Sequence, residues 1–320
     1  MLIKKLIVMK RLFVAFAAFC LAAGAAFAQD LKAAVEIFNA GVESAQADNK
    51  AEALAKFQEA LPLLEACSEE EAVEMVSKCK EYIPTTMLSI AKEQINAAAY
   101  DEAIACLGKT VETAKLYEIS SVAEEASSLI PNAWLRKGTS LLKEKNFADA
   151  ALALGEVVAL TPEDGQSWLM LGQARLQSGA VDEGVVALEK AAEFGKAEQA
   201  NKMLSNTFLK KGQAALKAGK NADAIAAFEK ANSYLENANA YKLIASANIK
   251  SGKSAKAIEA YKKYLEISPN AKDASDIIFT IAATAQKAGD KATAIEYYNK
   301  LSGDAKYSAQ AAQQLSVLKK

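Results

Sequence analysis

Two tryptophans set the phase of the whole chain. Trp134 and Trp168 lie 34 residues apart, and each is followed four residues later by a glycine. A period of this size predicts a repeat protein, in which one small unit cannot bury its apolar face alone and stacking of units supplies the core. Extending the register in both directions gives seven repeats. The small residue at the eighth position of each is Gly41, Ala91, Gly138, Gly172, Gly212, Ala245 or Ala282.

Two further positions keep the same phase. A second small residue stands at the twentieth position: Ala53, Ala103, Ala150, Gly184, Ala224, Ala257 and Ala294. A large apolar or aromatic residue stands at the twenty-fourth: Phe57, Leu107, Leu154, Leu188, Phe228, Tyr261 and Tyr298. Two antiparallel helices approach closely only where small side chains face each other, so these three linked positions predict helix hairpins.

The turn inside each predicted hairpin also has a marker residue. Four successive repeats have glycine there, at Gly179, Gly219, Gly252 and Gly289. Glycine adopts the left-handed conformation that ends many helices, so it predicts the end of the first helix of each pair. Three earlier repeats have Asp48, Ala98 and Lys145 at this position, and we expect less regular turns there.

The register that starts at Trp134 continues to Ala150, Leu154 and Pro162, matching the small and apolar positions of the pattern W-x2-L-G-x2-Y, A-x3-F, P. The chain thus resembles the tetratricopeptide repeat family. The resemblance implies an all-α, right-handed solenoid of about seven helix-pair repeats. The family's tyrosine at the eleventh position is replaced by Ser44, Gln94, Leu141, Arg175, Ala215, Asn248 and Ala285, so packing there must differ from the family pattern.

The first two spacings between repeats are long, which predicts an extra helix in each, at about residues 69–82 and 121–130. Each of these segments ends in Ile-Pro, and we expect the proline to open the following helix. The predicted organisation is residues 29–131 for the repeats with two extra helices and 132–304 for regular repeats. Residues 305–320 follow as a capping helix with one polar side.

Residues 1–28 read as a signal peptide. Basic residues precede the apolar run 12–27, and Ala26-Phe27-Ala28 forms a small-x-small cleavage site before Gln29. We expect an exported, periplasmic protein with no stable membrane span after cleavage. A retained anchor and a lipid on Cys20 remain as alternatives.

The composition argues against the common catalytic chemistries. The chain has no histidine, which removes the commonest general base and zinc ligand, so we expect no metal and no cofactor. Carboxylate catalysis survives in principle among 39 Asp and Glu residues, and a cell-wall hydrolase is the enzymatic alternative. The three cysteines after residue 28, Cys67, Cys79 and Cys106, are interpreted as small buried hydrophobes.

Charge is distributed unevenly along the chain. Residues 30–130 contain 8 Lys or Arg against 19 Asp or Glu, whereas residues 197–320 contain 19 against 11. Such a charge dipole would orient a charged partner or favour head-to-tail self-association. Variation of solvent-exposed surface residues without a functional role explains the uneven charge equally well. Export and the acidic front argue against nucleic acid as a partner.

The resemblance implies that the first helices of the pairs line a concave surface that binds a protein or peptide segment. The residues assigned to it by register are Asn132, Gln166, Gln173, Asn206, Gln213, Asn239, Lys242, Lys143, Lys217, Lys250 and Lys287. Carboxamides can hydrogen-bond a peptide backbone irrespective of its sequence, and lysines attract acidic segments. The competing interpretation is that the asparagines cap helix starts and the lysines complement helix dipoles.

Several functional alternatives stay open at this stage. A groove for glycans or small ligands and an outer-membrane assembly subunit both compete with a general scaffold. Tyr264, Tyr297 and Tyr307 could be partly exposed anchors, although core positions are the favoured interpretation. The carboxylate clamp of chaperone-binding family members is not expected, because its paired lysine and asparagine are absent and only Lys242 with Ser246 comes near.

Overall fold

The computed structural model describes residues 31–319, in which helices are joined by short turns and no strand occurs. The predicted signal peptide, its cleavage site and Cys20 lie outside this range. The described chain forms two compact units, residues 31–136 and 137–319. None of the helices between residues 31 and 319 has the length and apolarity needed to cross a bilayer. The all-α prediction is confirmed for the described residues.

In the first unit the helices are α1 (Leu31–Gln46), α2 (Lys50–Glu65), α3 (Glu70–Asn96), α4 (Tyr100–Leu116) and α5 (Ser120–Lys143), whose last turns belong to the second unit. The second unit continues with α6 (Phe147–Leu160), α7 (Gly165–Ser178), α8 (Val181–Ala191), α9 (Ala197–Lys217) and α10 (Asn221–Tyr234). It ends with α11 (Ala238–Lys250), α12 (Ser254–Ile267), α13 (Ala274–Lys287), α14 (Lys291–Asn299) and α15 (Ser308–Leu318). Within each unit, packing occurs mainly between helices that are consecutive in the chain.

The residues at the eighth, twentieth and twenty-fourth positions, which we call the seam, are buried in all seven repeats. A β-carbon added at Gly212 would lie 2.5 Å from Phe228 Cε1, and one added at Gly172 would lie 2.6 Å from Leu188 Cγ. Such distances are shorter than carbon atoms tolerate, so these helices approach closely only because the eighth residue lacks a side chain. The predicted hairpin packing is confirmed, and the large residue packs on its own repeat's first helix.

Pro84 and Pro131 lie inside the two longest helices, α3 and α5. Segments 69–82 and 121–130 are helical as predicted, but each continues without a break into the next helix, through Pro84 in α3 and Pro131 in α5. The prediction that each proline opens a new helix is wrong. A proline inside a helix removes one backbone hydrogen bond. At Pro84 the surrounding packing compensates, since Pro84 is buried and Ile83 is only 1% exposed.

Every marked turn has a left-handed residue, whether or not it is glycine. The φ angles are 60° at Asp48, 58° at Ala98 and 61° at Lys145, compared with 73° at Gly219. The turn hydrogen bonds match as well, because Ala99 N donates to Gln94 O at 2.8 Å and Lys220 N donates to Ala215 O at 2.9 Å. The expectation of less regular turns is therefore wrong, since the hairpin imposes one backbone conformation on different residues.

The three cysteines of the first unit are not paired with one another. Cys79 is fully buried, and burial, with a smaller effect of the Glu65 carboxylate, raises the pKa of its thiol to about 12. The Cys106 thiol donates to Met87 O at 3.3 Å, and burial raises its pKa as well. The interpretation as small buried hydrophobes is confirmed for Cys79, whereas Cys67 and Cys106 are half-buried and pack against the core.

Candidate functional site

The predicted binding residues of the second unit lie on the first helices of its repeats. We call this set the A-helix face: Lys143 on α5, Gln166 and Gln173 on α7, Asn206, Gln213 and Lys217 on α9, Asn239 and Lys250 on α11, and Lys287 on α13. All of these residues are exposed. They occupy equivalent positions of successive repeats, so they fall on corresponding sides of their helices.

Helix α9 presents the longest stripe of this face. Asn206, Lys210, Gln213 and Lys217 follow one another at spacings of four, three and four residues, which places them on one side of the helix. The opposite side buries Leu204 and the other core residues of α9. The side-chain carboxamides of Asn206 and Gln213 make no hydrogen bond within residues 31–319, so their donors and acceptors face solvent.

The lysines of the face have a second explanation that the structure supports directly. Lys143, Lys217, Lys250 and Lys287 are each the final residue of their helix, where a positive charge complements the negative end of the helix dipole. The dipole accounts for the lysine position in every repeat that has one. Their predicted role in binding stays a prediction.

Asn132 and Lys242 have partners inside the protein. In the first unit, Asn132 Oδ1 accepts a hydrogen bond from Arg136 Nε at 3.0 Å. In the second, Lys242 Nζ lies 2.9 Å from Asp273 Oδ2 and 5.4 Å from the centre of the Tyr264 ring. The Tyr264 hydroxyl donates to the same carboxylate. These three side chains fasten α11 and α12 to the turn before α13, so a ligand would have to compete for Lys242.

Electrostatics of this cluster follow from its hydrogen bonds. The hydrogen bond from Tyr264 and the one from Lys242 hold the pKa of Asp273 below its usual value. The same Asp273 carboxylate, together with burial, raises the pKa of Tyr264 to about 12.

The favoured core interpretation of the late tyrosines holds, since Tyr264 and Tyr297 are each only 6% exposed. Half-buried Tyr307 stacks on Phe279 with ring centres 4.6 Å apart.

A cleft of about 510 Å³ lies in the second unit and is lined by residues outside the A-helix face. Its walls come from α10 and α12, and its floor comes from Tyr241, Ile244 and Asn248 of α11. Sequence reasoning missed this cleft, although Asn248 marks it as one of the residues that replace the tyrosine of the eleventh position. A short side chain at a position where the pattern has a tyrosine was the available signal.

No acidic or sulfur side chains between residues 31 and 319 are grouped so that they could hold a metal ion. The A-helix face presents amides and ammonium groups, which can bind a polar chain by hydrogen bonds and charge.

Comparison with known proteins gives one family match. Residues 135–201 and 209–272 match the tetratricopeptide repeat model. No curated protein shows a significant sequence match to the chain.

Three solved structures illustrate the similarity. A crystal structure of MamA protein is 20% identical over 57% of this chain and 96% of that chain, with a TM-score of 0.33. The P58(IPK) TPR domain is 12% identical over 89% and 97%, with a TM-score of 0.29. YrrB, described as a TPR protein with an unusual peptide-binding site, is 15% identical over 62% and 97%, with a TM-score of 0.31. Scores this low add nothing to the geometry described above.

Proposed function

We propose that this chain, a tetratricopeptide repeat protein, is a non-enzymatic interaction scaffold that binds a protein or peptide segment along the A-helix face. The observation that carries the proposal is the exposed stripe of α9. Asn206 and Gln213 stand seven residues apart with free carboxamides. A carboxamide offers two donors and an acceptor, so such a pair can hydrogen-bond both edges of an extended peptide backbone.

Charge adds a preference to this binding. Lys210 and Lys217 lie on the same stripe and form no ion pair within the described residues. Exposed ammonium groups raise the local concentration of acidic segments and speed their association at low salt. We therefore propose that acidic or neutral polar segments bind in preference to basic ones.

We also propose that the protein acts in the cell envelope, with export directed by residues 1–28. The support is the sequence pattern of a basic start, an apolar run and a small-x-small site before Gln29. Mass spectrometry of the purified protein tests this proposal by the mass of its first peptide. A chain that starts at Gln29 supports cleavage, whereas an acylated Cys20 or an uncut terminus contradicts it.

The binding test compares two variants with the same change in charge. The first, which we call the α9 variant, carries three changes on α9: Asn206→Ala, Gln213→Ala and Lys217→Glu. The matched control carries the same types of change at exposed or half-exposed positions away from the A-helix face: Asn221→Ala, Gln310→Ala and Lys272→Glu. Each protein, residues 29–320, is used to capture partners from envelope extract. We expect the α9 variant to lose the proteins that the unchanged chain and the control retain.

Two results would contradict the proposal. One is an unchanged set of captured proteins from the α9 variant. The other is stabilisation of the chain by glycans in a thermal-shift assay, lost in the α9 variant, without stabilisation by peptides. The second result would assign the face to glycans.

A further inference from the structure

An unsatisfied acceptor lies beneath the floor of the cleft between α10 and α12. Asn248 is only 2% exposed, and its Nδ2 donates to Ile244 O at 3.0 Å. Its Oδ1 is buried and accepts no hydrogen bond from the described residues. A buried acceptor without a donor destabilises the folded protein, so a group that enters the cleft and donates to this atom would be favoured.

The same repeat position produces a second unsatisfied acceptor. In the first unit, Gln94 Oε1 is also buried without a partner, and Gln94 is likewise an eleventh-position residue. The family pattern has a tyrosine at this position. A tyrosine ring is much larger than a carboxamide, so Asn248 leaves unfilled the space that a ring would occupy between the second helices of two successive repeats.

The walls of the cleft define what can enter it. Ile225 and Ala226 of α10 and Ala260 of α12 supply apolar surface, and Tyr241 and Ile244 lie at the floor. A volume of about 510 Å³ accommodates an aromatic side chain with part of its backbone.

Charges at the rim are balanced. Lys253 and Lys256 face the cleft together with Glu229 and Glu259, while the remaining lysine, Lys263, is paired with Glu266 at 2.8 Å. A balanced rim does not select a strongly charged ligand. A carboxylate or phosphate group has no hydrogen to donate to Asn248 Oδ1. The cleft therefore favours a ligand with an apolar body and a neutral hydrogen-bond donor.

We propose that this cleft is a second binding site, in which a tyrosine side chain of a partner protein inserts between α10 and α12. The ring packs against Ile225, Ala226 and Ile244, and the hydroxyl donates to Asn248 Oδ1. Since this oxygen is sealed from water in the unbound protein, the carboxamide rotates toward the cleft when the ring enters. The site lies on other residues than the A-helix face and does not depend on the function proposed for that face.

The test uses two peptides that differ in one oxygen atom. Acetyl-Gly-Tyr-Gly-amide and acetyl-Gly-Phe-Gly-amide are titrated into isotope-labelled chain, residues 29–320, and followed by NMR. We expect the tyrosine peptide to shift the side-chain amide signals of Asn248 and to bind about tenfold tighter than the phenylalanine peptide, because one hydrogen bond to a buried acceptor is gained.

Protein variants separate the two parts of the site. Asn248→Leu removes the acceptor and is expected to abolish the preference for tyrosine. Ala226→Leu places bulk on an exposed wall position without touching the core and is expected to abolish binding of both peptides. The matched control is Ala255→Leu, an exposed alanine of α12 that does not line the cleft.

The proposal is overturned by any of four results. These are equal binding of the two peptides, unmoved Asn248 signals at about 10 mM peptide, unchanged binding by Ala226→Leu, and loss of binding in the α9 variant of the A-helix face. The last result would show that the peptide uses the A-helix face. Retained peptide binding in that variant, with lost protein capture, would support both sites independently.

Discussion

The two compact units build the same turn from different residues. In the first unit, Asp48 and Ala98 adopt φ angles of 60° and 58°. In the second, Lys145 occupies the first equivalent turn with a φ angle of 61°, and glycines occupy the next four with φ angles of 71–90°: Gly179, Gly219, Gly252 and Gly289. The seam, by contrast, is buried in both units. This difference teaches that seam packing determines where a hairpin closes, while the turn residue only changes how much the closure costs.

The largest effect is expected when the seam loses an aromatic ring. Phe57→Ala in the first unit and Phe228→Ala in the second should each lower the free energy of unfolding by about 3–5 kcal/mol. The side chains are only 2% and 0% exposed, so each truncation leaves a cavity. Urea unfolding followed by circular dichroism measures the loss, and hydrogen exchange locates it.

Leu152→Ala serves as the control for these truncations, because Leu152 is 73% exposed and its truncation should change stability by no more than about 0.5 kcal/mol. If Phe57→Ala proved as mild as this control, the seam would not have the same role in both units.

A smaller effect is expected when a seam glycine gains a methyl group. A β-carbon at Gly41 would lie 2.8 Å from Phe57 Cε1, and one at Gly212 would lie 2.5 Å from Phe228 Cε1. Gly41→Ala and Gly212→Ala should each destabilise the protein by about 1–3 kcal/mol, because the ring has to move. The midpoint of urea unfolding checks this.

Gly155→Ala is the matched control, since a β-carbon there meets nothing within 4 Å. Inside helix α6 this change should stabilise the protein by about 0.5–1 kcal/mol through the higher helix propensity of alanine. Equal destabilisation at Gly155 and Gly212 would show that loss of flexibility, and not close packing, explains the seam glycines.

The turns should respond with opposite signs in the two units. Ala98→Gly removes the steric strain of an alanine at positive φ and should stabilise the first unit by about 1 kcal/mol. Gly219→Ala places an alanine at positive φ and should destabilise the second unit by a similar amount. Thermal unfolding by calorimetry is a suitable measurement. Ala97→Gly controls for added flexibility, because Ala97 has φ −80° and gains no relief. Destabilisation by Ala98→Gly as large as by Ala97→Gly would contradict this account.

The smallest effect is expected from titration of the Tyr264 cluster. The folded-state pKa of Tyr264 is raised from 10.0 to about 12 by its hydrogen bond to Asp273 and by burial. Its contribution to stability is therefore complete below pH about 10 and is lost as the pH rises through about 12. The pKa of Asp273 is lowered in the folded state, so its carboxylate contributes to folding stability at neutral pH. This contribution is lost in acid, as the pH falls through the folded-state pKa.

Tyr264→Phe removes the titrating hydroxyl and keeps the ring. The stability difference between the unchanged protein and this variant should narrow between pH about 10 and 12, as measured by urea unfolding at each pH. A constant difference across this range would show that Tyr264 does not titrate as the cluster requires.

The sequence predicted the repeating part of the fold well, because the seam is chemically specific. Only small residues fit between two helix backbones, so Gly172 and Ala245 could be placed before any coordinates were known. The left-handed turn at Gly219 could also be predicted, because glycine adopts positive φ angles without steric strain. The same turn at Lys145 could not, since lysine shows no preference for it and the neighbouring helices impose the conformation.

The prolines and the candidate sites were harder to predict. Pro84 reads locally as a helix start, but α3 continues through it, with Ile83, Pro84 and Met87 buried. The exposure of Asn206 could be predicted from the register. The partner of Lys242 could not, because Asp273 lies in the turn before the next repeat, 31 residues away. The cleft at Asn248 depends on what three helices leave unfilled, which a linear pattern does not contain.

Packing between consecutive helices has a consequence for how the chain acquires its structure. Each hairpin joins segments that are close in sequence, so its formation closes only a short loop and loses little chain entropy. A chain of this kind has low contact order, and any hairpin can start the process before distant residues are present. Folding can thus proceed stepwise along the polypeptide as successive hairpins emerge.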